Sequence, residues 1–208
     1  MARLEYSAPD ETRRAKQIIL AARPDRLRFE VLSPFGAVFV LAASHGRLAA
    51  YARDEGTIYR GAASAENLER YTSVDLPVSA AVDLLLGTPP MSAEGQPVVS
   101  RDEDAIKFWE GLPRGGARVT WFTGELDPAR YEEQNADGQV VLRALFERFA
   151  DVGGVRLPTQ LSIETPMLQR RVAIELRDPE VNPTLADPLF ALDTPRGTKE
   201  IDLDETLN

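Results

Sequence analysis

A chain of 208 residues, 43% of them hydrophobic, can bury a sizeable interior as one large or two small domains. Its net charge of -9 removes the basic surface that supplies most nucleic-acid affinity, which excludes nucleic acid as a partner. With no cysteine in the chain, disulfides, thiolate metal sites and a lipidation cysteine are excluded within it.

The opening "RLEYSA" and "ETRRAKQIILAARP" read as two paired strands, since a helix over the second would be short and would end on Pro24. After the "ARPDR" turn, Leu27, Phe29 and Val31 alternate with Arg26, Arg28 and Glu30, the period of a half-buried strand. "VLSPFGAVFVL" then sets Phe35 between Pro34 and Gly36 at a turn, where an aromatic is either tucked onto the core or exposed for a purpose. "QIILAA" and "AVFVLAA" are apolar on both faces, so both sides of that part of the sheet require a cover.

"SAENLERYTSVDLPVSAAVDLLLG" supplies one cover as a helix pair over about 64–87. Ser64 caps the first helix with Asn67 three residues on, Pro77 opens the second and Gly87 ends it. Leu68, Tyr71, Val78, Val82, Leu85 and Leu86 give the pair an apolar face.

Further along, Val119 and Trp121 oppose Arg118 and Thr120, while Val155, Leu157, Leu161 and Ile163 share one face and Val172, Ile174 and Leu176 another. "PRGG", "NADG" and "VGG" punctuate these runs as hairpin loops. The C-terminal "DPLFALDTPRGTKEIDLDETLN" reads as a loop, a short strand and an acidic frayed end. The pattern gives a mainly β, α+β chain with about eleven strands in a large antiparallel sheet.

Chemistry is sparse. His45 is the single histidine, in a "SHG" turn, so a Ser/His/Asp site would have to rest on it and no two-histidine metal site exists. The glycines of "LPRGGARV" lack the Lys and Ser/Thr of a phosphate loop. The carboxylates of "RDEDA", Glu132 with Glu133, and "DLDET" lack calcium-loop spacing and read as solvated surface. No catalytic residue, metal or cofactor is assigned. The aromatics Trp109, Trp121, Phe122, Phe146 and Phe149 suit either an ordinary core or a ligand cavity.

"DRLRFEVLSPFG", "YRGAASAENLERYTSVDLP" and "VDLLLGTPP", in that order, resemble the LolA/LolB-type outer-membrane lipoprotein localisation factors, most closely the LolB-like acceptors. "FADVGGVRLPTQLSIE" and "NPTLADPLFALDTPRGTKEIDL" resemble the end of LolA-like proteins. The resemblance implies a single domain over 1–208, an incomplete antiparallel β-barrel with a helical lid over an apolar cavity for lipoprotein acyl chains. It implies a non-enzymatic carrier or acceptor, monomeric, at the periplasmic face of the bacterial outer membrane. Its partners would be acylated lipoproteins, a periplasmic LolA-like carrier and the inner leaflet of the outer membrane. The signal peptide, lipidated cysteine and first helix usual in the family are missing, so the chain reads as a trimmed soluble form with Met1 an added start.

On that basis Phe29, Val31, Val38, Val40, Leu48, Ile58, Trp121 and Phe146 are expected to line the cavity, with Leu68, Val82, Leu85 and Leu86 on the lid. Pro34, Phe35 and Gly36 form the expected membrane-contacting loop, Phe35 taking the place of the family's apolar tip residue. A soluble LolA-like chaperone, a hydrolase acting on an apolar substrate through His45 or paired acids, and a sensor for an apolar ligand are the alternatives.

Overall fold

A computed structural model of the chain describes residues 1–91, 96–102 and 105–205, leaving Glu103 and Asp104 of the "RDEDA" cluster outside the described residues. The described residues form fourteen strands: β1 (Ala2–Ala8), β2 (Glu11–Ala22), β3 (Arg26–Ser33), β4 (Gly36–Ser44), β5 (Arg47–Ala52), β6 (Thr57–Ala62), β7 (Val98–Asp102), β8 (Ala105–Gly111), β9 (Ala117–Thr123), β10 (Pro128–Gln134), β11 (Val140–Val152), β12 (Val155–Thr165), β13 (Arg170–Leu176) and β14 (Lys199–Asp202). Two helices, α1 (Ala65–Thr72) and α2 (Val78–Leu85), lie between β6 and β7. The strands form one sheet in the order β14-β6-β5-β4-β3-β2-β1-β13-β12-β11-β10-β9-β8-β7. Fourteen strands replace the expected eleven or so, because segments such as β7 "VVSRD" and β10 "PARYEEQ" carry no clean alternation yet still pair.

The chain groups into two compact units. Unit 1 comprises Met1–Leu4, Arg14–Asp83 and Leu176–Asn208, and unit 2 comprises Glu5–Arg13 and Leu84–Glu175.

In unit 1, β2 to β6 pair antiparallel with their neighbours and β14 joins β6 in parallel. Residues opposite one another in a ladder share a face. Phe29, Leu41, Ala50 and Tyr59 therefore lie on one face, and Glu30, Val40, Tyr51 and Ile58 on the other. The first face meets α1, whose Tyr71 packs on Phe39 and Tyr59. The second meets the segment around the short 3-10 helix Asp187–Phe190: Arg28 donates to the Leu189 carbonyl, Ser44 to that of Phe190 and Arg60 to that of Leu192. The two covers explain why "AVFVLAA" is apolar at every position.

The helix signals hold. The Ser64 hydroxyl accepts from the Asn67 amide, and Gly87 follows α2 in left-handed geometry. The C-terminal end departs from its expected fraying as far as it is described. Leu203 is buried, and the Asp204 carboxylate accepts hydrogen bonds from the Ala62 amide and Asn67 Nδ2. This clamp works because Gly61 has no side chain: a Cβ there would sit 2.9 Å from Asn67 Nδ2, Asp204 Oδ1 and Leu203 Cβ.

In unit 2, β7 to β13 pair antiparallel in sequence. Ala144, Phe146, Leu161, Ile163, Val172 and Ile174 form its apolar face, all buried. The other face carries Arg130, Glu132, Arg143 and Glu164 in a chain of ion pairs, Arg130 to Glu132 within β10 and Arg143 across to Glu132 and Glu164.

Candidate functional site

The β3–β4 hairpin of unit 1 brings together an exposed aromatic tip and an aromatic row beneath α1. At the tip the Phe35 amide donates to Ser33 Oγ (3.2 Å), the Ser33 hydroxyl donates to the Gly36 carbonyl (2.9 Å) and Arg53 Nη1 donates to the Phe35 carbonyl (3.3 Å). Gly36 sits at φ +104°, where a side chain would be strained. The backbone of the turn is thus fixed on three sides, while the Phe35 side chain stands 87% exposed. Of the two fates open to an aromatic at this turn, the structure shows exposure.

Four residues down β4, roughly 13 Å at strand rise, Phe39 enters the row. Ring centroids run Phe29 to Phe39 at 5.9 Å, Phe39 to Tyr71 at 5.5 Å and Tyr71 to Tyr59 at 6.0 Å. Phe39, Tyr59 and Tyr71 are half-buried, above a buried floor that includes Leu41, Ala43, Leu48 and Ala50. Burial, with a smaller push from Tyr59, raises the Tyr71 phenol to about 12, so it stays neutral through the physiological range. The Tyr59 hydroxyl bonds to the Glu55 carboxylate.

Within unit 1 the expected lining residues fall on both faces of the sheet. Phe29, Val31 and Leu48 lie on the α1 face, and Val40 and Ile58 on the face of the C-terminal segment. Val38 is the extra residue of a β-bulge, where Val31 pairs with Phe39 and Leu32 with Ala37. In unit 2, Phe146 is on the apolar face, but Trp121 stands on the opposite, charged one, its ring flanked by Lys107 (5.5 Å) and Arg130 (4.7 Å). Of the helix residues, Leu68 and Val82 are buried and Leu85 and Leu86 half-buried, while the equally buried Leu84 was not foreseen. Phe39 and Tyr59 were missed as well. Phe39 is one apolar residue in a run that shows no alternation, and Tyr59 gains its role only through the register of β6.

The carboxylate expectation needs one correction. Glu132 is not solvated: its side chain is 3% exposed and paired with Arg130 and Arg143. Burial pushes this carboxyl up, and the hydrogen bonds and charges of the two arginines more than reverse the effect, leaving it below its ordinary value. Glu133, pointing to the other face, accepts from the buried Tyr131 hydroxyl (2.5 Å) and from Arg118 Nε (3.2 Å). His45 is exposed in its turn with φ +51°, and the neighbouring Ser44 hydroxyl is committed to Phe190. Among the described residues no cluster of three metal-ligating side chains occurs, and no helix is long and apolar enough to cross a membrane. A cleft of about 310 Å³ in unit 2, lined by Ser7, Pro9, Glu164, Gln169, Arg170 and Arg171 among others, contains none of the expected acyl-lining side chains.

The architecture is shared with several solved structures. Over 92% of this chain and 88% of the other, it superposes on a LolA superfamily protein from Nitrosomonas europaea with a TM-score of 0.64 at 12% identity. A DUF1329 family protein from Desulfovibrio piger gives 0.63 at 14% identity, covering 91% and 87%. A domain described as an outer membrane lipoprotein-sorting protein, from Vibrio parahaemolyticus, gives 0.56 at 9%, covering 90% and 86%. The chain therefore has the LolA/LolB-type fold. No protein-family model and no curated protein sequence matches it.

Proposed function

We propose that this chain is a lipoprotein-binding carrier that holds acyl chains under α1 and passes them to a membrane through Phe35, in the manner of a LolB-like acceptor. The observation that carries this reading is the β3–β4 hairpin, which presents a fixed, 87% exposed Phe35 at its tip and a half-buried aromatic row on its helix-covered face. Two fold neighbours, described as a LolA superfamily protein and an outer membrane lipoprotein-sorting domain, point the same way.

The energetics favour such a device. Each methylene moved from water into an apolar site is worth roughly 0.8 kcal/mol, so a long acyl chain has on the order of 10 kcal/mol at stake and must pass from one greasy surface to another. Phe29, Val31 and Leu48, joined by Phe39, Tyr59 and Tyr71, make the acyl surface of unit 1, with Leu68 of α1 as part of its lid. Entry of a chain separates α1 from the row, and the ligand stabilises that open arrangement by differential binding. The acting site lies at the periplasmic face of the outer membrane, and the donor is a soluble carrier of the same fold. An acceptor is preferred over a soluble chaperone because an exposed Phe35 is a solubility cost to a protein that never meets a membrane.

A transfer assay tests the reading. Protein loaded with a triacylated lipopeptide is mixed with phospholipid vesicles, and delivery is followed by flotation. Wild type should deliver its cargo, and Phe35→Glu should stay loaded but deliver at least ten-fold more slowly. Equal delivery by both would overturn the role of Phe35.

A further inference from the structure

Beside Phe35 lies Arg53, a cation with no carboxylate partner among the described residues. The arginines of this chain are mostly committed to carboxylates: Arg26 to Asp187, Arg28 to Glu30 and Arg60 to Glu200 within unit 1 alone. Arg53 is exposed, donates Nη1 to the Phe35 carbonyl, and forms no ion pair among the described residues. The two acids next to it are engaged elsewhere, Asp54 with the Glu55 amide and Glu55 with the Tyr59 hydroxyl. Lys16, opposite Leu32 in the β2–β3 ladder, is a second exposed cation at the same end of the hairpin.

We infer that Arg53 is a phospholipid phosphate ligand, which binds the headgroup while Phe35 enters the acyl boundary beside it. The inference rests on the membrane-contact reading of Phe35 and adds the chemistry of the surface that it meets. An aromatic ring at the acyl boundary places its own carbonyl, and the guanidinium bonded to that carbonyl, at headgroup depth. One arm of the guanidinium holds the loop, and its remaining N–H groups keep the forked geometry that suits a phosphate. Asp54 and Glu55 cancel much of the local charge. Recognition is therefore by hydrogen bonding to phosphate at close range, not by general attraction to an anionic surface.

The test is flotation of the full chain with two kinds of vesicle at equal ionic strength. One is phosphatidylethanolamine with phosphatidylcholine, and the other replaces both with an uncharged, phosphate-free glycolipid. Arg53→Gln should bind phospholipid vesicles roughly five-fold more weakly than wild type, the worth of one net hydrogen bond, Arg53→Lys should fall between them, and all three should bind glycolipid vesicles alike. An equal loss for Arg53→Gln on both kinds of vesicle would reduce Arg53 to a loop support and overturn the inference. No loss for Arg53→Gln on phospholipid, with binding lost in Phe35→Glu, would overturn it and leave the membrane contact standing. If Phe35→Glu binds like wild type, the membrane-contact reading falls and this inference with it.

Discussion

Truncating Tyr71 separates a ligand site from an ordinary core. Tyr71 makes two of the three ring contacts in the row, to Phe39 at 5.5 Å and Tyr59 at 6.0 Å. Complete burial would put Tyr71→Ala near the 3–5 kcal/mol of a large aromatic truncation. Half-burial brings the expected cost to about 2 kcal/mol, roughly 4–8 °C in Tm at this chain length. Ligand linkage gives a second reading. A triacylated lipopeptide at a hundred times its Kd should stabilise wild type by ~2.7 kcal/mol, or about 5–11 °C. Without the ring that stacks over the row, Tyr71→Ala should lose most of that shift in addition to its own destabilisation. The assay is thermal melting followed by circular dichroism, with and without lipopeptide. Trp121→Ala serves as the control, because its ring stands on the charged face of unit 2 and its ligand shift should be intact. A Tyr71→Ala protein that melts lower yet keeps the full ligand shift would refute the acyl site under α1 and return the row to the core.

Other consequences are more local. Phe35→Glu should leave stability within about 0.5 kcal/mol of wild type, because the side chain is exposed, and should weaken vesicle binding by at least ten-fold; a large drop in Tm would show that Phe35 supports the fold. Glu132→Gln should cost about 1–3 kcal/mol in chemical denaturation, since it leaves Arg130 and Arg143 facing a neutral group. Because the folded-state pKa of Glu132 is depressed, its contribution is complete above the ordinary value of 4.5 and is lost as pH falls through the folded value. Acid titration of stability should therefore be shallower in Glu132→Gln than in wild type, and parallel curves would refute the pairing. Asp204→Ala removes the acceptor of the Ala62 amide and Asn67 Nδ2 and should cost about 1–3 kcal/mol, with faster amide exchange in α1; unchanged exchange would show that the clamp is idle.

What could be read in the chain was what local chemistry determines. Ser64 and Asn67 announce a helix start through one side-chain hydrogen bond, and Leu27, Phe29 and Val31 announce a shared face because charged residues separate them. Pro34 and Gly36 locate the turn that exposes Phe35. Val40 was out of reach because "AVFVLAA" has no polar residue to mark parity, and it has none because α1 covers one face and the 187–192 segment the other; Ile58 shares the face of Val40 only through the register of β4, β5 and β6. The face of Trp121 was hidden for a related reason. An aromatic is assigned inward by default, and its outward position depends on Lys107 and Arg130, which reach its ring only through the pairing of β8, β9 and β10. Glu132 looks like surface until Arg143, eleven residues away, arrives across the β10–β11 ladder. Register decides each of these cases, and register is a property of distant partners.

The most direct test of the central claim is displacement of an environment-sensitive apolar dye by a triacylated lipopeptide, set against the same peptide without its acyl chains. Displacement by the acylated peptide alone, lost in Tyr71→Ala and kept in Trp121→Ala, is the result expected of an acyl carrier with its site beneath α1. Dye that does not bind, or that both peptides displace equally, would contradict the carrier reading.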